Sequence, residues 1–211
     1  MLGITDFWLF VVSGLMLNVL PGPDNLYIVG RSASQGFKAG SAASLGIGTG
    51  TVFHILAAAF GLSALLATSA LAFTIVKFIG AAYLIYMAVT LLFSKASNES
   101  FTQVSLPRTP LKTIFWQGFL TNFLNPKIAL FFMAFVPQFI SPESEHKVLA
   151  FLVLGLVFNI NGMIWCHFMA WSASFTSGRI KKNEKLVMLL KRGTGVLFGY
   201  FAVRLAMSES A

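Results

Sequence analysis

Long apolar stretches alternate with short polar connections along this chain. The stretches fall at about residues 4–29, 39–66, 69–93, 113–140, 148–175 and 186–207. An α-helix needs about 20 apolar residues to cross a hydrocarbon core roughly 30 Å thick. The pattern therefore predicts an all-α integral membrane fold with six transmembrane helices. Lys191 and Arg192 shorten the membrane part of the last stretch toward residues 193–207. Two stretches are interrupted, the first at Pro21-Gly22-Pro23 and the fourth at Asn125-Pro126-Lys127.

The interruptions belong to an internal similarity. Gly14-Leu15-Met16-Leu17-Asn18-Val19-Leu20-Pro21 resembles Gly118-Phe119-Leu120-Thr121-Asn122-Phe123-Leu124-Asn125, and Leu26 then matches Leu130. The copies begin the first and fourth stretches, so each half holds three crossings and the second half is inverted. A single membrane transport domain follows, with one repeat over about residues 1–93, a polar linker at 94–112 and a second repeat over about 113–207. Proline lacks the backbone N–H and clashes with the preceding turn, which breaks a helix. Freed backbone groups are tolerated at membrane depth only inside protein or against a hydrated cavity. Broken helices 1 and 4 in inverted repeats thus mark a transport site near the bilayer midplane.

Charge sets orientation. The connections after stretches one, three and five hold Arg31 and Lys38; Lys95, Arg108 and Lys112; and Arg179, Lys181, Lys182, Lys185, Lys191 and Arg192. The other side has only Lys147 and Arg204. The excess of Lys and Arg on cytoplasmic loops places the odd-numbered connections inside, and six crossings then put both termini outside. Residues 1–6 carry no Lys or Arg, so the first stretch reads as a retained membrane segment rather than a cleaved signal. Composition agrees. Hydrophobic residues make up 56% of the 211 and charged residues only 10%, with mean hydropathy +0.78. The net charge of +8 belongs to loops beside anionic lipid, and no nucleic-acid-binding signature accompanies it.

Intramembrane charges are costly and mark function. Asp24 follows the first break and Lys127 the second. One reading binds an amino acid as a zwitterion, its ammonium near Asp24 and its carboxylate near Lys127, with the N-terminal end of the half-helix at Pro23 adding positive potential. The other pairs the two residues with each other or sends them to the interface. Asn25 adjoins Asp24. Asn18 and Asn122 are repeat-related amides beside the breaks, suited to satisfying freed backbone groups or to touching substrate, with backbone satisfaction favoured. Gly46, Gly50 and His54 share a helix face. That face is either a close-packing seam with a hydrogen-bonded histidine or a proton-exchange site at His54. Thr51 is available to a substrate. Of Asn159 and Asn161, whose helix faces differ, at least one faces the interior. Lys77 snorkels, and Trp8, Trp116, Trp165, Trp171, Tyr83 and Tyr86 anchor or pack. His167 and Met133 receive no role.

No cofactor is implied. The chain lacks a phosphate-cradling glycine loop, a zinc-protease motif and paired cysteines. The lone Cys166 reads as a small apolar core residue. No connection is long enough for an ATPase domain, which leaves an ion gradient as the energy source. Metal transport is disfavoured because hard cations want several oxygen ligands. Intramembrane redox or enzyme chemistry lacks its residues, and a purely structural subunit gains nothing from broken helices. Six short spans barely enclose a path alone, which makes a homodimer worth testing.

Several motifs in order resemble the RhtB/LysE family of amino-acid exporters: Asn18-x-x-Pro21-Gly22-Pro23-Asp24-Asn25; Gln35-Gly36-Phe37-x-x-Gly40; Gly46-x-Gly48 to His54; Lys77-Phe-x-Gly80-Ala-Ala-Tyr83-Leu84; Phe119-Leu-x-Asn122-x-x-Asn125-Pro126-Lys127; and Pro137-Gln138-Phe139. The resemblance covers essentially the whole chain. It implies a six-span protein of the bacterial inner membrane that exports amino acids or derivatives by proton antiport, not an enzyme. His54 and the Pro-Gly-Pro-Asp-Asn run look more like the homoserine, threonine and neutral amino-acid branch than the lysine branch. Export of another metabolite or a cation on the same architecture is the alternative. The candidate substrate or translocation residues are Asn18, Pro21, Gly22, Pro23, Asp24, Asn25, Thr51, His54, Asn122, Asn125, Pro126 and Lys127.

Overall fold

A computed structural model describes residues 2–62, 70–93, 108–141, 143–175 and 184–207. The linker residues Lys95, Glu99 and Pro107, the loop residues Arg179, Lys181 and Lys182, and the side chain of Lys77 lie outside the described residues. Among those described the fold is all-helical, which is what backbone groups denied water require. The helices are α1 (Phe7–Val19), α2 (Pro23–Gln35), α3 (Phe37–Leu56), α4 (Ala70–Leu92), α5 (Leu111–Phe123), α6 (Pro126–Leu130), α7 (Lys147–Phe175) and α8 (Glu184–Met207). The extended pairing present is a single bridge, Ile4 with Ile140.

Both sequence interruptions are true breaks. Gly22 is extended and Pro23 starts α2, so α1 and α2 meet at a bend of 55°. Pro126 starts α6, which continues through a π-helical turn at Phe131–Phe135 and a 3-10 turn at Val136–Phe139, and this limb meets α5 at 47°. Each first limb, α1 and α5, has 13 residues, about 20 Å at helical rise. Gly36 has φ +82°, a left-handed conformation that costs glycine little. It lets α3 start directly after α2.

Taken singly, residues Phe37–Gly61 and Lys147–Phe175 are long and apolar enough to cross a membrane, and the two bent pairs raise the number to four. In α4 the apolar described part is Phe78–Leu92, and α8 carries Lys191, Arg192 and Arg204. The outer faces stay apolar: Leu124, Phe175, Trp8 and Tyr86 stand exposed on four different parts of the fold. Water would not tolerate so large an apolar surface, whereas lipid does. The chain is a multi-pass membrane protein.

Hydrogen bonds sort the connections into two ends. At one end, Thr5 N donates to Phe139 O at 2.9 Å and Ser141 N donates to Gly3 O at 2.8 Å. Ser144 Oγ donates to Leu2 O at 3.0 Å, and Arg204 at the end of α8 pairs with Asp6 at 3.1 Å. At the other end, Gln35 Nε2 donates to Thr109 O at 3.0 Å, Thr109 N returns a bond to Gln35 Oε1 at 3.1 Å, and Arg31 reaches Thr109 Oγ1 at 3.0 Å. The α1–α2 pair therefore runs from the first end to the second, and the α5–α6 pair runs back.

Lipid tails are as apolar as leucine, so packing rather than the hydrophobic effect holds membrane helices together. At the first end, Phe10, Phe131, Phe135, Phe139, Phe158 and Phe201 are buried. Their rings meet at 4.5–5.3 Å in the Phe135–Phe201, Phe131–Phe158, Phe131–Phe135, Phe135–Phe139, Phe139–Phe201 and Phe10–Phe139 pairs. Between α3 and α5 the contact is backbone to backbone. A Cβ on Gly118 would lie 2.6 Å from Ala43 O, one on Gly46 would overlap Phe115 O, and one on Gly50 would lie 3.0 Å from Phe119 O.

Such a seam has no slack. Gly118→Val should lower the melting temperature of the detergent-solubilised protein by several degrees, since overpacking costs about 1–3 kcal/mol. Gly61→Ala, where an added Cβ meets nothing within 4 Å, should leave it unchanged or raise it. Equal melting temperatures for the two variants would show that α3 and α5 can part without cost.

Candidate functional site

The two breaks face each other, and each is tied by groups from both pairs. Breaking a helix frees carbonyls at the end of the first limb and N–H groups at the start of the second. In the first break, Asn25 turns back, and its Nδ2 donates to Asn18 O at 3.1 Å and Leu20 O at 3.0 Å. In the second, Asn125 Oδ1 caps α6 by accepting from Lys127 N at 3.0 Å. The remaining bonds cross between the pairs. Lys127 Nζ donates to Leu17 O, near the end of α1, at 3.0 Å. Asp24 Oδ2 accepts from Asn122 Nδ2 at 2.9 Å and Asn125 Nδ2 at 3.1 Å. The charged residue of each second limb thus engages the break of the other pair.

The crossing bonds surround a cavity of about 30 Å³, room for two or three waters at roughly 10–15 Å³ each. Asn18, Gly22, Asp24, Asn25, Thr51, Asn122, Asn125 and Lys127 line it. Pro21, Pro23, Pro126 and His54 are not among its lining residues. The prolines make the breaks, and His54 Nε2 donates to Asn122 O at 3.1 Å while its ring stacks on Phe123 at 6.1 Å. Thr51 Oγ1 lies 3.2 Å from both Ile47 O and Asn122 Oδ1, which orients the Asn122 amide toward Asp24.

Two expectations change. Backbone satisfaction falls to Asn25 and Asn125 rather than to the side chains of Asn18 and Asn122, because the later asparagines lie at the turns where they can fold back. Asp24 and Lys127 share the cavity, yet the ion pair found among the described residues is Arg204–Asp6 instead. Each of the two charges is held by neutral dipoles.

Some bonding capacity is left over. Asn18 Nδ2 and Asp24 Oδ1 are buried with no hydrogen-bond partner. Leaving a buried polar atom unpaired costs about 1–3 kcal/mol. A ligand that offers a donor to Asp24 and acceptors to Asn18 and Lys127 would recover that cost. An α-amino acid carries both.

The sequence pointed to one residue of a further wall, since at least one of Asn159 and Asn161 was expected to face the interior and Asn159 does, but not to the rest of it. Asn159, Gly162, Met163 and Cys166 of α7 line the cavity at the i, i+3, i+4, i+7 spacing of one helix face. Asn159 was the available signal. On α3 the lining residues are Ile47, Gly48 and Thr51, beside the Gly46–Gly50–His54 face that meets α5. His167, which was given no role, sits 3.1 Å from Ser41 Oγ and 2.9 Å from Met163 O.

The chain resembles several known proteins over nearly its full length. It is 31% identical over 208 residues to the uncharacterized membrane protein PA4757 of Pseudomonas aeruginosa, covering 97% of this chain and 96% of that one. It is 28% identical over 208 residues to a leucine efflux protein of Salmonella typhimurium, covering 99% and 98%. With the uncharacterized membrane protein YrhP of Bacillus subtilis it shares 29% over 206 residues, covering 94% and 97%. No solved structure matches it significantly. The model of the LysE type translocator family matches residues 15–209, and the chain belongs to that family.

Proposed function

We propose that this protein is a secondary carrier that exports neutral amino acids of the homoserine, threonine or leucine type from the bacterial cytoplasm in exchange for protons. The carrying observation is the reciprocal tie between the two breaks, which leaves Asp24 Oδ1 and Asn18 Nδ2 unpaired beside Lys127. The substrate ammonium binds at Asp24, and its carboxylate binds at Lys127 and Asn18. A proton and the ammonium compete for the same carboxylate. Protonation of Asp24 from outside discharges the ammonium, and loss of that proton to the cytoplasm restores the site. His54 keeps a structural role. The cavity is small here, so substrate enters as the limbs swing about their breaks. The efflux relative supports an amino-acid cargo.

In this reading the protein is one transport domain of six spans in the inner membrane. Residues 1–93 and 113–207 form inverted halves, with 94–112 between them. Helices α4 and α8 have 23 and 24 residues, about 35 Å at helical rise, and complete the six. The odd-numbered connections face the cytoplasm and both termini face outward. Two sets of measurements test this. In a background with Cys166 replaced by serine, Arg108→Cys should react only with a membrane-permeant thiol reagent in intact cells. Glu143→Cys should also react with an impermeant one. The reverse pattern would invert the protein.

Export of labelled leucine, threonine, homoserine and lysine from overproducing cells tests the activity. One or more neutral substrates should leave, and an uncoupler should stop them. Asp24→Asn and Lys127→Met should each reduce export by about thirtyfold or more, because removing one partner from a buried charged contact costs at least about 2 kcal/mol. Export by both variants at the wild-type rate would overturn the zwitterion site. Absence of amino-acid efflux from well-expressed wild-type protein would turn the search to another metabolite.

A further inference from the structure

Besides its amides and charges the cavity has an apolar wall, shaped by one close contact. Gly48 of α3 lies against Met163 of α7. A Cβ built on Gly48 would overlap the Met163 sulfur and stand 3.3 Å from its Cγ and 3.4 Å from its Cε. The thioether occupies the place where any other residue at position 48 would put its side chain. Ile47, Ile128 and Phe158 continue the wall. On the polar side, Asp24 is the one acid and Lys127 the one base among the lining residues.

We propose that Met163, seated on Gly48, is the residue that sets which side chain the site accepts, and that the accepted class is uncharged and aliphatic. This rests on the export reading above. Once Asp24 and Lys127 hold the ammonium and carboxylate of a substrate, a third charge finds no counter-ion, and burying it alone is strongly unfavourable. A cationic or acidic side chain is therefore rejected. An aliphatic one lies along Ile47, Ile128, Phe158 and Met163. Methionine is unbranched and adaptable, and its length fixes how much of the wall is open. Shortening it enlarges the site. Adding a Cβ at position 48 displaces the thioether toward the cavity and shrinks the site.

Competition against labelled leucine in proteoliposomes of the purified full chain reads this directly, with alanine, leucine, phenylalanine and lysine as competitors. Wild-type protein should prefer leucine and ignore lysine. Met163→Ala should move the phenylalanine-to-leucine preference about tenfold toward phenylalanine, and Gly48→Ala should move the alanine-to-leucine preference about tenfold toward alanine. A single methylene in an apolar pocket is worth that much. Met163→Val should shift preference the same way as Met163→Ala but less, and it serves where a larger change prevents insertion. If the variants scale all competitors by one factor, Met163 is only packing and the proposal falls. Lysine competing as well as leucine would remove the aliphatic class. A wild-type protein that moves no amino acid fails before any variant is compared, and the export reading fails with it.

Discussion

An open backbone carbonyl or N–H has no water to turn to inside a membrane, and this constraint organises the molecule. Two helices are broken by proline, so two sets of such groups appear at depth. Each break is partly closed by its own asparagine, Asn25 or Asn125. The other pair closes a further carbonyl, Leu17 O, through Lys127, and binds the Asp24 carboxylate through the amides of Asn122 and Asn125. The breaks must then lie side by side, and the polar cavity follows from their meeting. Helices α3 and α7 supply its walls.

The electrostatics follow from the same arrangement. A carboxylate and an ammonium in one cavity would ordinarily close on each other and saturate. Here each is held by uncharged dipoles from the opposite pair. The asparagine amides occupy one carboxylate oxygen and leave the other without a partner. The Leu17 carbonyl takes one of the three hydrogens that an ammonium carries. Two opposite charges thus stay close without cancelling, which suits a ligand bearing one of each.

Both breaks and four of the six apolar stretches were legible in the sequence, because proline and the 13-residue limbs leave clear marks. So was the meeting of Asp24 and Lys127, through the internal similarity. The division of labour among the asparagines was not. Spacing says which residue lies beside a break, not which way its side chain turns, and Asn18 and Asn122, on the first limbs, turn differently from Asn25 and Asn125, at the starts of the second. For His54 the packing-seam alternative is the one the structure shows. This residue shares a face with Gly46 and Gly50, and that face meets the backbone of α5 while the adjacent one meets the cavity. Beyond Asn159 the α7 wall was hidden because a helix surrounded by lipid and protein is apolar on nearly every side, so no amphipathic stripe points inward.

The glycine seam between α3 and α5 has a further meaning. These helices belong to different halves of the chain, yet their backbones touch through Gly46, Gly50 and Gly118. Likewise α4 packs along α8, again one helix from each half. The segments that resemble each other in sequence therefore do not pack only within their own half. Each of these close contacts joins the two halves, so a change in one helix is felt by residues encoded more than 60 positions away.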